Sequence, residues 1–439
     1  MHKSLFAGML LFLFGSLAAQ TNIEFEEFDL DNGLHVILHE DQSTPIVAVS
    51  VLYHVGSKNE KEGRSGFAHF FEHLMFEGSP NIDRGEYSEL VQSNGGALNA
   101  NTTFDRTYYY EILPSNQLEL GLWLESERML QATVDQTGVD TQREVVKEEK
   151  RLRIDNRPYG SFQEKIFAAA YPDHPYEIAP IGTMEDLNAA NIEDFADFYE
   201  TFYVPNNATL SIAGAIDKDK TKELVEKYFG GIPRGENEIP RPDPEFEMLQ
   251  AEVEDTVYDN IQLPGVFIGY RMPPQGTDDA YALEMLNTVL SGGQSSRFYK
   301  TLVDDKQLGL AVQAFPYSLE LGGLFITLGI ANMGVELSAL IAGIDEEVQK
   351  VRNELITERE FQKVMNQVES NFIQSNSRMA GVAESLANYH VYYGDANLIN
   401  NEIERYRAVT REDIKRVAEK YLTPSNRVVL YYLPKSQMN

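Results

Sequence analysis

The sequence predicts an α+β fold built as two similar halves, and three patterns carry that reading. Each half mixes alternating strand-like runs with amphipathic helical runs, of the kind seen at Ile46–Tyr53 and Gln117–Leu130, which argues for sheets layered with helices. Two distant segments then echo one another. Ile192–Leu210 and Arg411–Leu430 each read as an amphipathic helix, a turn containing Pro and Asn, and a strand. Between the halves, residues 230–247 are rich in Pro, Gly and charge, the composition of a linker. The expected division is a signal peptide at 1–19, a first domain at 22–229, the linker at 230–247 and a second domain at 248–435.

Taken in order, the chain opens on a secretory pattern. His2 and Lys3 supply a short basic start, and Leu5–Leu17 is apolar but too short for a comfortable membrane span. Ser16–Gln20 offers small residues for cleavage near Ala18 or Ala19. The expectation is a periplasmic or secreted protein, with an uncleaved N-terminal anchor as the alternative. No later segment is apolar enough to span a bilayer. The chain has 439 residues and no cysteine, which excludes disulfides, thiolate metal sites and a lipoprotein anchor. A formal charge of −31 argues against nucleic-acid binding, which needs basic surface.

The segment His69-Phe70-Phe71-Glu72-His73 carries the chemistry. On a helix, positions i, i+3 and i+4 share a face, so His69, Glu72 and His73 point the same way. This is the inverted zincin pattern H-x-x-E-H. Neutral imidazole ligates zinc, and a carboxylate between the ligands can take a proton from metal-bound water. Phe67, Ala68, Phe70, Phe71, Leu74, Met75 and Phe76 make the segment apolar almost all round, as in a buried helix. Polar groups buried there are costly unless something pairs them. Ser65 is the expected N-cap and Gly78 the expected stop. A third ligand is needed. The acidic, helix-friendly stretch Thr141–Arg151 offers Glu149 first, with Glu148 and Glu144 as competitors.

With these residues the chain resembles the pitrilysin/insulinase family of zinc peptidases, in the short form similar to mitochondrial processing peptidase. The resemblance covers nearly all of the chain after the signal. It implies two homologous domains, each an antiparallel-rich sheet packed against helices. In that family a glutamate about 76 residues after the last motif histidine completes the zinc site. Glu149 stands 76 residues after His73, in a matching R-x-V-V-x-E-E context. The family often places a supporting glutamate seven residues earlier. Here that position is Gln142, a neutral amide in the outer shell of the site. The strand read within Gly95–Tyr110 matches a family pattern in which a sheet edge beside the zinc takes up substrate backbone, which implies substrate contacts at Asn99 and Ala100.

The implied activity is a zinc-dependent endopeptidase or oligopeptidase acting on extended or unfolded peptides, with one Zn²⁺ per chain and Glu72 as general base. Relatives also use an arginine and a tyrosine seven apart in the second domain or in a partner. Val303 and Leu310 stand at those positions here, and neither side chain can donate a hydrogen bond. Arg297 and Tyr299 lie nearby at the wrong spacing. The second half has no H-x-x-E-H, and its only histidine is His390. A second echo, Thr141–Lys147 with Thr357–Lys363, sets Glu149 opposite Met365. The expected partner is therefore a homologous zinc-free subunit, in a heterodimer. Two readings compete: a non-catalytic peptide-binding or assembly subunit of the same fold, and a zinc held only for structure.

Overall fold

The computed structural model describes residues 22–438; the expected signal segment 1–19 lies outside them. The first half holds strands β1 (Glu26–Asp29), β2 (His35–Glu40), β3 (Ile46–Tyr53), β4 (Ala97–Thr102), β5 (Thr107–Pro114) and β6 (Ala208–Gly214). Its helices are α1 (Phe67–Leu74), α2 (Glu86–Ser93), α3 (Leu118–Gln131), α4 (Gln136–Lys150), α5 (Phe162–Ala170), α6 (Met184–Ala189), α7 (Ile192–Phe202) and α8 (Lys218–Phe229). The second half holds β7 (Val253–Asp259), β8 (Gly265–Met272), β9 (Gly309–Tyr317), β10 (Gly323–Ala331) and β11 (Arg427–Pro434). With them are α9 (Asp278–Ser291), α10 (Leu337–Asn353), α11 (Glu358–Ser375), α12 (Met379–Tyr393), α13 (Leu398–Ala408) and α14 (Arg411–Tyr421).

The strands form two sheets, ordered β1-β2-β6-β3-β5-β4 and β7-β11-β8-β10-β9. Without β1, the two orders are the same. Each sheet is antiparallel but for one pair, β2 with β6 and β11 with β7. The repeat read from the sequence recurs in atomic detail. Asn207 donates to Phe202 O at 2.8 Å after α7, and Asn426 donates to Tyr421 O at 2.9 Å after α14. In both places a short Pro-containing turn, stitched by the asparagine amide, converts a helix end into a central strand. The second echo is looser. Thr141 lies inside α4 whereas Thr357 caps α11.

Both faces of each sheet are covered, so the central strands are buried on both sides and read as nearly continuous apolar runs. In β3, Val47, Val49, Val51 and Tyr53 face the first half's own helices. Ala48 and Leu52 face the other way, onto α12 from the second half. The second sheet mirrors this arrangement. Val266, Ile268 and Tyr270 of β8 face the second half's helices. Phe267, with Val428 and Leu430 of β11, meets Ile166 and Phe167 of α5 from the first half. The two halves thus exchange helices reciprocally. Residues 233–252 contain no helix or strand and run along the end of the first sheet, where Asn59 donates to Pro240 O at 2.9 Å. Among the described residues no helix is long and apolar enough to cross a membrane.

A polar cluster lies deep in the first core, where the Tyr87 hydroxyl lies 3.2 Å from Glu111 and 3.3 Å from Glu125. Arg128 of α3 is 2% exposed. It donates to Glu125 at 2.5 Å and to Met75 O, at the end of α1, at 3.4 Å. Its guanidinium also lies 4.2–4.8 Å from the ring centroids of Phe76, Tyr87 and Tyr109, a cation–π cage. Arg128 thereby ties α3 to the C-terminal end of α1. Arg128→Ala leaves the Glu125 carboxylate buried without its counter-charge, and is expected to cost about 3–5 kcal/mol. Urea unfolding measures this; Glu125→Leu/Arg128→Met, which removes the charge pair together, is expected to lose distinctly less.

Candidate active site

The site is built on α1. This helix begins from Gly66, whose φ of +83° suits glycine. A side chain at Gly66 would also press on Ile181 O, 2.8 Å from the Cβ position. Ser65 does not cap the helix as expected. Its hydroxyl donates to Asp186 and accepts from Thr183 N. The first turn is satisfied from further away, by Glu60, whose carboxylate accepts from Gly66 N at 2.9 Å and Ala68 N at 2.8 Å. At the other end the helix stops at Leu74, four residues before Gly78. Phe67, Phe70 and Phe71 bury the far side of α1 against Phe195, Phe198 and Tyr203.

This packing turns His69, Glu72 and His73 toward α4. Glu149 Oε2 lies 3.3 Å from His73 Nε2 and 3.7 Å from His69 Nε2. One donor atom from each residue falls within a common 4.8 Å. Ligands about 2.0–2.2 Å from a tetrahedral zinc stand roughly 3.3 Å apart, so the three donors fit that ion. The two imidazole planes are 85° apart. Glu148 and Glu144 do not join them. Glu148 pairs with Arg151 and Glu144 with Lys147, both on the exposed side of α4.

The electrostatics suit a cation. Burial, then the neighbouring His73, hold the His69 imidazole down to about 4. It is therefore neutral near pH 7, with a lone pair to give. The Glu149 carboxylate is held below its usual range, first by its hydrogen bond with His73. Its other oxygen receives Arg153 at 2.6 Å. Glu72 differs from both. Burial raises its proton affinity, opposed by Thr102, whose hydroxyl donates to Glu72 Oε2 at 2.6 Å. Glu72 lies outside the set of three converging donors.

Asn99 and Ala100 lie on β4, the unpaired edge of the first sheet among the described residues. Both line the same cavity of about 510 Å³ as His69, Glu72, His73 and Glu149. Gln142 also lines it, and its amide donates to the buried Glu77 at 2.5 Å. Sequence reasoning missed Glu60, Glu77, Thr102 and Arg153. Of these only Arg153, four residues past Glu149 on a continuing helical turn, had a spacing signal. In the second half, Val303 packs against the core and Leu310 is 61% exposed at the start of β9, the edge of the second sheet. Arg297 is engaged by Glu360 at 3.0 and 3.2 Å.

Two sheets of one strand order, with H-x-x-E-H beneath the edge of the first, define a two-domain fold of the inverted-zincin class. Residues 35–184, within the first half, match the family model described as "Insulinase (Peptidase family M16)", and residues 189–368, from the last elements of the first half into α11 of the second, match "Peptidase M16 inactive domain". A zinc protease of Helicobacter pylori named PqqE is 32% identical over 97% of each chain. An uncharacterised zinc protease of Mycobacterium leprae is 28% identical over 90% of this chain and 88% of its own. The crystal structure of a protease from Helicobacter pylori superposes with a TM-score of 0.89 at 30% identity, over 94% of this chain and 100% of that one. The chain belongs to the M16 peptidase family.

The donor geometry makes a direct claim about metal. His69→Ala, His73→Ala and Glu149→Ala are each expected to lose zinc on dialysis, while Glu148→Ala retains one equivalent. Elemental analysis of the purified chains decides it.

Proposed function

We propose that this chain is the zinc-bearing subunit of an exported endopeptidase or oligopeptidase that cleaves extended peptides. Residues 22–229 would carry the chemistry and 248–435 the second domain. The observation that carries the reading is the convergence of His69, His73 and Glu149 with Glu72 left over. Three protein ligands with an open position mark a catalytic zinc site, and closed structural sites lean instead on cysteine. Its family and the zinc proteases it resembles agree with this reading.

Zinc held by these three ligands would acidify a water and polarise the scissile carbonyl. Glu72 would serve as the base that accepts a proton from the attacking water and returns it to the leaving amine. Thr102 holds the carboxylate oriented through the transfer. The edge of β4, at Asn99 and Ala100, receives the peptide as a further strand through main-chain hydrogen bonds. That mode selects extended or unfolded chains. Arg153, already on Glu149, keeps one carboxylate oxygen facing the histidines.

The chain has no Arg/Tyr pair at Val303 and Leu310 to hold the substrate carbonyl. The pair would come from a homologous zinc-free subunit, making the working enzyme a heterodimer.

Glu72→Gln is expected to keep one zinc per chain and lose at least about 10²-fold in turnover. A zinc-loaded Glu72→Gln protein that still cleaves peptides sinks the assignment. The purified chain is expected to cleave fluorogenic peptides poorly, and adding a homologue with the Arg/Tyr pair to restore the rate. Full activity of the isolated monomer removes the partner.

A further inference from the structure

The face of the first sheet opposite α1 holds a second cavity, of about 610 Å³, between β5 and the junction of α11 with α12. Its walls include Tyr108, Tyr110, Asn371, Gln374, Arg378 and Glu384. Strand register connects it to the substrate edge. Asn99 of β4 stands opposite Tyr110, and Asn101 opposite Tyr108, and directly opposed residues share a face. Leu98, Ala100 and Thr102 occupy the other face, where Thr102 meets Glu72. Arg106 joins cavity and edge physically. It donates to Asn101 Oδ1 at 3.4 Å, pairs with Glu384 and lies 4.7 Å from the Tyr108 ring centroid.

Side chains of a strand added to β4 must alternate between these faces. Half would point toward α1 and the zinc ligands. The other half would pass over Asn99 and Asn101, on the face of the sheet that holds the second cavity. The charge there is asymmetric. Glu384 is neutralised by Arg106. Arg378, exposed at the cavity wall, has no carboxylate partner among the described residues.

We infer that this cavity is a side-chain subsite of the enzyme and that it takes long acidic side chains, glutamate above all, with Arg378 as the residue that reads their charge. The inference rests on peptide addition at β4 as proposed above. It also gives a use to the α11–α12 junction, which lies far along the chain from the metal motif.

The test uses the full-length zinc-loaded Glu72→Gln chain and fluorescein-labelled unstructured peptides that carry Glu, Ala or Lys at each position in turn. Fluorescence anisotropy is expected to find positions where Glu binds about tenfold tighter than Lys. Arg378→Glu is expected to reverse that order, and Gln374→Lys to strengthen it. An order unchanged by Arg378→Glu, or no peptide binding at all, overturns the subsite. Cleavage by the parent chain with its partner is scored separately. Binding that depends on Arg378 without any cleavage would sink the peptidase reading and leave the subsite standing; cleavage without the charge preference would do the reverse.

Discussion

Everything at the site depends on holding two imidazoles and a carboxylate, from helices far apart in sequence, face to face in an apolar setting. Such groups are costly to bury, so α1 must be fixed rigidly enough that they meet. The fold grips it at both ends. Glu60 satisfies its first turn and Arg128 reaches the carbonyl of Met75 at its last. Phenylalanines on its far side lock its rotation. What remains exposed is one narrow face carrying His69, Glu72 and His73.

Much of this was legible in the sequence. The shared face of His69, Glu72 and His73 follows from helical spacing, which is local. Ile46–Tyr53 is a strand as expected, but its run is nearly continuous in apolar residues and not alternating, because both of its faces are buried. The duplicated helix–turn–strand was readable because each copy must place an asparagine to stitch the same turn. Glu149 was preferred to Glu148 through family resemblance, and α4 supplies the physical reason: only one of two adjacent positions can face α1. What was not legible came from other elements. Glu60 caps α1 from outside it, displacing Ser65 from that role. Thr102 reaches Glu72 from a neighbouring strand, and Glu77 takes the amide of Gln142 across the site. No periodicity encodes such meetings.

The two halves have diverged in use while keeping one architecture. Position 365, opposite Glu149 in the repeat, is a buried methionine that packs in the second core, so that half spends the equivalent helix on packing. At Val303 and Leu310 it offers only hydrocarbon. The first half brings His69, Glu72, His73 and Glu149 together around one cavity, and the second supplies α12 as cover for the sheet beside them. The acidity of the chain, −31 overall, makes each unpaired arginine near β4 a locally distinctive feature.

The exchange of α5 and α12 has a mechanical consequence. Each sheet is roofed by a helix rooted in the other half, and prying the halves apart would strip apolar cover from both at once. Opening along that seam would expose both apolar patches to water, a cost that scales with the area uncovered. The covering helices therefore fasten the two halves to one another at two separate places, so that neither sheet keeps its apolar roof unless both halves stay together.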